Sequence, residues 1–121
     1  MSRLLLVDDD ADILEALAGA LEDRHQISTA KNGAQALELL KTRPFDAMVL
    51  DLMMPVMDGA TVISTMRDAG IELSVVLASG NLEVGELALR FGVDHVIKPY
   101  DIAVLEGKLA RIIGENGKPN R

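Results

Sequence analysis

The chain has 121 residues, 49% of them hydrophobic and 26% charged, which is typical of a single globular domain. Its 19 acidic residues outnumber the 12 basic ones, and the resulting net charge of −7 disfavours binding to nucleic acid or anionic membranes. The absence of cysteine excludes disulfides and thiolate chemistry, and no apolar stretch approaches the roughly 20 residues of a membrane helix. We therefore expect a soluble cytoplasmic protein.

Short apolar runs alternate with helical periods from the first residues onward. Residues 4–7 (LLLV) predict a buried strand that runs directly into three consecutive aspartates. Residues 11–24 place apolar side chains at helical spacing, and Asp10 is well positioned as the N-cap of this helix. Residues 25–31 alternate weakly, which predicts a short strand at an edge of the sheet. Residues 33–41 return to the helical period.

The same alternation continues through the rest of the chain. Residues 46–51 (DAMVLD) predict the most deeply buried strand, since prolines bound an apolar run. The later elements are a helix at 59–70 that Gly70 stops, a strand at 74–78, a helix at 82–92, a strand at 95–97 and a helix at 101–114.

Five strand–helix units in succession predict an α/β fold, a parallel sheet with helices on both faces. We assign residues 1–114 to this domain. Residues 115–121 consist of turn formers and charged residues, and we expect a flexible tail or the start of a linker.

Ionisable and hydroxyl side chains follow four of the predicted strands. Asp8 and Asp9 follow the first strand, Asp51 ends the third, Ser79 follows the fourth and Lys98 follows the fifth. In open α/β sheets the functional crevice lies beyond the carboxyl ends of the strands, so these side chains are expected to converge. Singly, each has an ordinary structural explanation, such as a solvated loop or turn chemistry. Their joint placement on one sheet edge favours a site.

Four motifs in this order resemble the receiver domains of two-component response regulators. They are LLLVDDD at 4–10, VLDLMMPVMDG at 49–59, VVLASG at 75–80 and VIKPY at 96–100, and the similarity covers nearly the whole chain. The resemblance implies a flavodoxin-like sheet with strand order 2-1-3-4-5 and five helices. It also implies a phosphoacceptor signalling switch, in which Asp51 accepts a phosphoryl group from a histidine kinase or a histidine phosphotransfer protein.

The resemblance further implies bound Mg²⁺, with Mn²⁺ as an alternative. Asp8, Asp9 and Asp51 supply the oxygen ligands that Mg²⁺ prefers, and the family pattern adds the backbone carbonyl of Met53. The bound cation would relieve the repulsion among the aspartates that follow the first strand.

Three further positions carry roles that the resemblance implies. Lys98 offers a positive charge and Ser79 a hydroxyl to phosphate oxygens, and Gly80 leaves room beside the phosphate. The Lys98–Pro99 peptide bond is expected to be cis.

A domain of this kind is not a conventional enzyme, since its own chemistry is limited to self-phosphorylation from small donors and self-dephosphorylation. Its partners would be the phosphodonor and an output domain or downstream protein, recognised through strand 4, helix 4, strand 5 and helix 5. Two features depart from the family pattern on this face. The segment from Ser79 to Lys98 is several residues short, and His95 stands where receivers commonly have tyrosine or phenylalanine.

Two other functions are compatible with a sheet of this type. A flavin- or nucleotide-binding domain needs a glycine- or hydroxyl-rich phosphate loop after the first strand, and DDDAD has the opposite charge. A Mg²⁺-dependent phosphohydrolase usually carries its aspartate nucleophile after the first strand and adds a cap domain, for which 121 residues leave no room.

Overall fold

The computed structural model describes residues 2–117, and the side chains of residues 2–114, as a five-stranded sheet with five helices. The strands are β1 (Ser2–Val7), β2 (His25–Ala30), β3 (Ala47–Asp51), β4 (Ser74–Ser79) and β5 (Asp94–Ile97). The helices are α1 (Ala11–Leu21), α2 (Gly33–Thr42), α3 (Gly59–Asp68), α4 (Val84–Phe91) and α5 (Ile102–Gly117). Every predicted element is present, with ends that shift by no more than three residues.

All strand pairs are parallel, and the order in the sheet is β2-β1-β3-β4-β5. The predicted strand order is therefore confirmed, and so is the edge position of β2. From β1 the chain first crosses to β2 on one side and then returns to β3 on the other. The order reverses between β1 and β3, and such a reversal opens a crevice beyond their carboxyl ends.

Alternation along β1 shows how the sheet is covered on both faces. Leu4 and Leu6 pack in a core cluster with buried leucines of α1 and α5. Leu5 and Val7 point the other way, into a larger cluster with α2, α3 and α4. All four side chains are essentially inaccessible to solvent, and each such burial contributes about 1.5–3 kcal/mol. Two layers of helices thus hold β1 rigidly and fix where its last residues project.

Helix ends follow the predicted chemistry at two places. Asp10 caps α1, because its Oδ1 accepts hydrogen bonds from the backbone N–H groups of Asp12 and Ile13 at 2.9 and 3.3 Å. Gly70 has φ 77° two residues after the end of α3, a conformation that costs glycine little. Both residues are exposed and lie outside the core.

Helix α5 continues to Gly117, three residues beyond residue 114, the predicted end of the domain. Residues 118–121 of the predicted tail lie outside the described residues, so the division into a domain over 1–114 and a tail over 115–121 stays a prediction. Among residues 2–117, none of the helices is long and apolar enough to span a membrane.

Candidate functional site

The carboxyl ends of four strands bring the predicted site residues to one edge of the sheet. Asp8 directly follows β1, Asp51 is the last residue of β3, Ser79 is the last of β4, and Lys98 directly follows β5. Parallel pairing keeps these ends level, since Val7 is opposite Leu50 and Asp51 is opposite Ala78. The fold therefore assembles residues that lie up to 90 positions apart in sequence.

Three carboxylates form a compact cluster at this edge. One oxygen each from Asp8, Asp9 and Asp51 lies within 4.8 Å of the others. Asp8 and Asp51 are only 4% and 5% exposed, whereas Asp9 is open to solvent. The cluster offers charged oxygen ligands and no sulfur. Such a site suits a hard cation such as Mg²⁺, which keeps several waters beside one or two carboxylates. The residues present fit a magnesium ion.

Lys98 supplies the positive charge that faces this cluster. Its Nζ lies 3.0 Å from Oδ2 of Asp8 and 3.2 Å from Oδ1 of Asp51, and donates to both. The backbone N–H of Lys98 also donates to the carbonyl of Ser79 at 2.9 Å, which anchors the lysine to the end of β4. The Lys98–Pro99 bond is cis, as predicted.

Burial and neighbouring charge shape the protonation of this group of residues. Burial is the main cause that raises the pKa of the Asp51 carboxyl, the Asp8 carboxylate adds to it, and Lys98 acts in the opposite direction. For Lys98, burial alone would lower the pKa of the amine, but contacts with Asp8 and Asp51 outweigh it and raise that pKa. One ammonium is thus shared between two carboxylates and offsets only part of the cost of charge on Asp51.

Ser79 presents its hydroxyl at the end of β4 and is 1% exposed. Its Oγ accepts a hydrogen bond from the backbone N–H of Asn81 at 3.0 Å, which leaves the hydroxyl hydrogen for another acceptor. The following Gly80 is exposed, and a methyl group added there would meet nothing within 4 Å. The loop after β4 is therefore open above Ser79, and the role of Gly80 beside a phosphate stays a prediction.

The loop between β3 and α3 holds two features that sequence reasoning missed. A Cβ on Gly59 would lie 2.7 Å from the carbonyl oxygen of Asp51, so the start of α3 packs directly on the backbone of the candidate phosphoacceptor. Val56 has φ 69° and is fully exposed. That conformation is unusual for a β-branched residue and costs about 1–3 kcal/mol. The sequence MDG signals only the helix cap that Asp58 provides.

Tyr100 is a third residue that the sequence did not mark as functional. Burial raises the pKa of its phenol, and although Lys98 opposes that rise, the carboxylates of Asp8 and Asp51 add to it. The ring is half-buried against the core cluster of α1 and α5. Tyr100 therefore lies within the electrostatic field of the acid cluster, on the loop that follows Lys98.

The two features that depart from the family pattern, the segment from Ser79 to Lys98 and His95, lie around helix α4 and strand β5. Helix α4 has eight residues, begins five residues after Ser79 and lacks a side-chain cap at Glu83. His95 is half-buried, and its imidazole lies 3.4 Å from the position of a Cβ on Gly85 in the first turn of α4. The ring therefore rests against α4, where the glycine leaves space for it.

Comparison with known proteins places this arrangement in a family. The chain matches the response regulator receiver domain family over residues 4–110. It is 36% identical over 120 residues to the transcriptional regulatory protein PrrA of Mycobacterium leprae (strain TN), an alignment that covers 95% of this chain and 51% of PrrA. The chain thus spans about half the length of this relative.

Solved structures agree with the sequence comparison. The Francisella response regulator 1452 receiver domain superposes with a TM-score of 0.89 at 27% identity, covering 96% of this chain and 99% of that one. A sensor protein from Polaromonas sp. JS666 superposes with a TM-score of 0.85 at 34% identity, covering 94% and 97% of the two chains.

Proposed function

The chain belongs to the response regulator receiver domain family, and from this membership we propose that Asp51 accepts a phosphoryl group from a histidine kinase or a histidine phosphotransfer protein. The observation that carries the proposal is the cluster of Asp8, Asp9 and Asp51 facing the Lys98 amine at the switch point of the sheet. This is the charge pattern that phosphoryl transfer needs, because its catalysis depends on positioning and on neutralising the transferring group.

In the proposed reaction a carboxylate oxygen of Asp51 attacks the phosphorus atom. A P–O bond forms while the P–N bond to the donor histidine breaks, and the imidazole nitrogen keeps the electron pair of that bond. The rigid end of β3 holds the Asp51 carboxylate, and the close approach of Gly59 to its carbonyl limits movement of the backbone. The raised pKa of Asp51 reflects an anion that is poorly solvated, which favours its use as a nucleophile.

Two further side chains are proposed to hold the phosphoryl oxygens. Lys98 is half-buried and already donates to Asp51, so its Nζ needs only a small movement to reach an oxygen of a phosphoryl group attached to that carboxylate. Ser79 has a hydroxyl hydrogen free to donate, because its Oγ accepts from Asn81. The space around Gly80 is open, and we propose that it leaves room beside the phosphoryl group.

Asp8, Asp9, Asp51 and the backbone carbonyl of Met53 would hold Mg²⁺, or Mn²⁺ in its place. The bound ion would neutralise charge on the phosphoryl oxygens. Asp8 is fixed for this task because its Oδ1 accepts a hydrogen bond from the backbone N–H of Asp10 at 2.9 Å.

The output of the switch is proposed to pass through the surface formed by β4, α4, β5 and α5. Three apolar side chains on it are exposed: Leu89 on α4 by 83%, Ile97 on β5 by 40% and Val104 on α5 by 49%. Exposed apolar side chains of this kind mark an interaction surface where they form a continuous patch. An output domain or a separate downstream protein would bind there, and the whole pathway would operate in the cytoplasm.

Incubation with acetyl phosphate and Mg²⁺, followed by intact-mass measurement, tests this function. The wild-type chain should gain about 80 Da, one phosphoryl group, and should release phosphate slowly because self-dephosphorylation is its only turnover. Asp51→Asn should show no gain, while the matched surface variant Asp68→Asn should behave like the wild type. Rapid turnover of many phosphoesters would instead indicate a hydrolase, and an equal gain in Asp51→Asn would refute the assignment.

A further inference from the structure

The loop between β3 and α3, residues 52–58, closes on its own first residue. The carbonyl of Leu52 accepts a hydrogen bond from the backbone N–H of Gly59 at 2.9 Å, so the two ends of the loop are joined. Met53, whose carbonyl is a proposed ligand of Mg²⁺, lies inside this closed loop. The position of that carbonyl therefore depends on how the rest of the loop is held.

A strained turn lies in the second half of the loop. The backbone N–H of Met57 donates to the carbonyl of Pro55 at 2.7 Å, across Val56 with φ 69°. A hydrogen bond between residues two apart, with a positive φ at the central residue, is the rare and strained form of the γ-turn. The side chain of Val56 is fully exposed, so it does not hold the turn in place. Such strain persists only where the surrounding structure imposes it.

Met57 connects this turn to helix α2. Its side chain is half-buried and packs against the core cluster that the sheet forms with α2, α3 and α4. Gly33 is the buried first residue of α2, and a Cβ built on it would lie 2.7 Å from Sδ and 2.8 Å from Cγ of Met57. Real Cβ atoms do not approach other atoms so closely. Only glycine at this position leaves the space that the Met57 side chain fills.

We propose that Gly33 is a positioning residue for Mg²⁺, because it seats Met57 and thereby holds the strained loop that carries the Met53 carbonyl. The inference rests on the proposed function, in which this carbonyl joins the acid cluster in holding the ion. Mg²⁺ requires nearly ideal octahedral geometry with short bonds to oxygen, so a displaced carbonyl weakens its binding. Gly33 acts on the ion only through the side chain of Met57.

Gly33 also has an ordinary packing role, which the test must separate from the proposed one. The same Cβ would lie 2.9 Å from Cγ2 of Val62, a buried residue of α3. This crowding would lower the free energy of unfolding of an alanine variant whether or not the side chain of Met57 is present. Stability therefore does not distinguish the two roles. Affinity for Mg²⁺ does, because only the contact with Met57 leads into the loop.

A double-mutant cycle between Gly33 and Met57 tests the inference, with the affinity for Mg²⁺ as its readout. The affinity is measured by NMR titration of backbone amides with Mg²⁺, without a phosphodonor. The variants are Gly33→Ala, Met57→Ala and the two combined. Gly19→Ala on α1 is the matched control, because its added methyl group would meet nothing within 4 Å.

Gly33→Ala should weaken Mg²⁺ binding by about tenfold, a typical cost of disturbing the residues that support a metal ligand. Met57→Ala should weaken it as well, since the turn then loses its anchor, and this variant tests the inference even if Gly33→Ala does not fold. In the combined variant the methyl group enters the space left by the thioether, so the affinity should match that of Met57→Ala. Gly19→Ala should bind Mg²⁺ like the wild type.

Three results would overturn the inference. They are an unchanged affinity in Gly33→Ala, an unchanged affinity in Met57→Ala, and a loss from Gly33→Ala that is equally large with and without the Met57 side chain. A wild-type chain that does not respond to millimolar Mg²⁺ would instead refute the proposed metal site itself.

Discussion

Lys98 is the residue on which the charge balance of the site depends. Its ammonium lies within 3.0 and 3.2 Å of two buried carboxylates, Asp8 and Asp51. Removing it leaves like charges in a poorly solvated crevice without an opposing one, and the loss of a partner to a buried charge is strongly unfavourable. Lys98 therefore stabilises the fold as well as serving the proposed chemistry.

We predict that Lys98→Met lowers the free energy of unfolding by about 1–3 kcal/mol in chelator, and by clearly less in millimolar Mg²⁺. The ion would then take over the neutralisation of the carboxylates and stabilise the native state by binding to it. Urea unfolding with and without Mg²⁺ measures both values. Lys41→Met is the control, because Lys41 is an exposed residue on α2. A loss that is identical in the two conditions would argue against a metal site at the acid cluster.

Val56 carries backbone strain that glycine would release. With φ 69° and a fully exposed side chain, valine gains nothing from packing to offset this cost. Val56→Gly should raise the free energy of unfolding by about 1 kcal/mol. Leu82→Gly is the matched control at an exposed loop position where φ is not positive, and it should be neutral or destabilising because glycine adds disorder to the unfolded chain. A destabilised Val56→Gly variant would show that the valine contributes to the fold.

At the scale of elements, the contact between α3 and β3 fixes the position of Asp51. A methyl group at Gly59 would lie 2.7 Å from the Asp51 carbonyl oxygen and 3.0 Å from the Cα of Leu52, and neither backbone atom can move without shifting β3. Gly59→Ala should therefore destabilise the protein by about 1–3 kcal/mol and slow phosphorylation from acetyl phosphate. Gly19→Ala on α1, where the methyl group meets nothing within 4 Å, should stabilise it by about 0.5–1 kcal/mol. If both alanines have the same small effect, the packing of α3 on β3 is looser than described.

A second contact between elements ties β5 to α5. The Asp94 carboxylate accepts from Lys108 at 3.0 Å and pairs with Arg111, and the backbone N–H of His95 donates to it at 2.8 Å. Burial alone would raise the pKa of Asp94, but the hydrogen bond from Lys108 and the other contacts outweigh it and lower that pKa below its ordinary value.

A carboxyl group with a lowered pKa in the native state stabilises the fold above its ordinary pKa, and this contribution is lost as the pH falls through the native value. Asp94→Asn should therefore cost about 1–2 kcal/mol at neutral pH, and the difference from the wild type should begin to shrink below pH about 3.8 and be lost as the pH falls through the lowered native pKa. Unfolding curves at several pH values check this, with Asp101→Asn on the loop before α5 as the control. A difference that does not change with pH would mean that the pairing contributes nothing.

For the molecule as a whole, the sequence predicts the architecture because each strand is an apolar run and each helix keeps its period. Alternation of buried residues along β1, such as Leu4 against Leu5, is the physical basis of a sheet covered on both faces. The convergence of Asp8, Asp51 and Lys98 was also predictable, since parallel strands must end at one edge of the sheet.

Contacts that depend on the third dimension could not be predicted in this way. The sequence does not show that Lys98 divides its hydrogen bonds between Asp8 and Asp51, because only distances between side chains decide this. Nor does it show the positive φ of Val56, since valine ordinarily avoids that region. The extension of α5 to Gly117 was missed because its last residues are turn formers, which a continuing helix overrides.

The central claim is that Asp51 forms an acyl phosphate, and chemical trapping tests it most directly. Borohydride reduces an aspartyl phosphate to homoserine, and peptide mass spectrometry then locates the modified position. After treatment with acetyl phosphate and Mg²⁺, we predict homoserine at residue 51 and at no other aspartate, and none when the donor is omitted. Homoserine at Asp8 or Asp9, or no homoserine in a chain that has gained a phosphoryl group, would contradict the account.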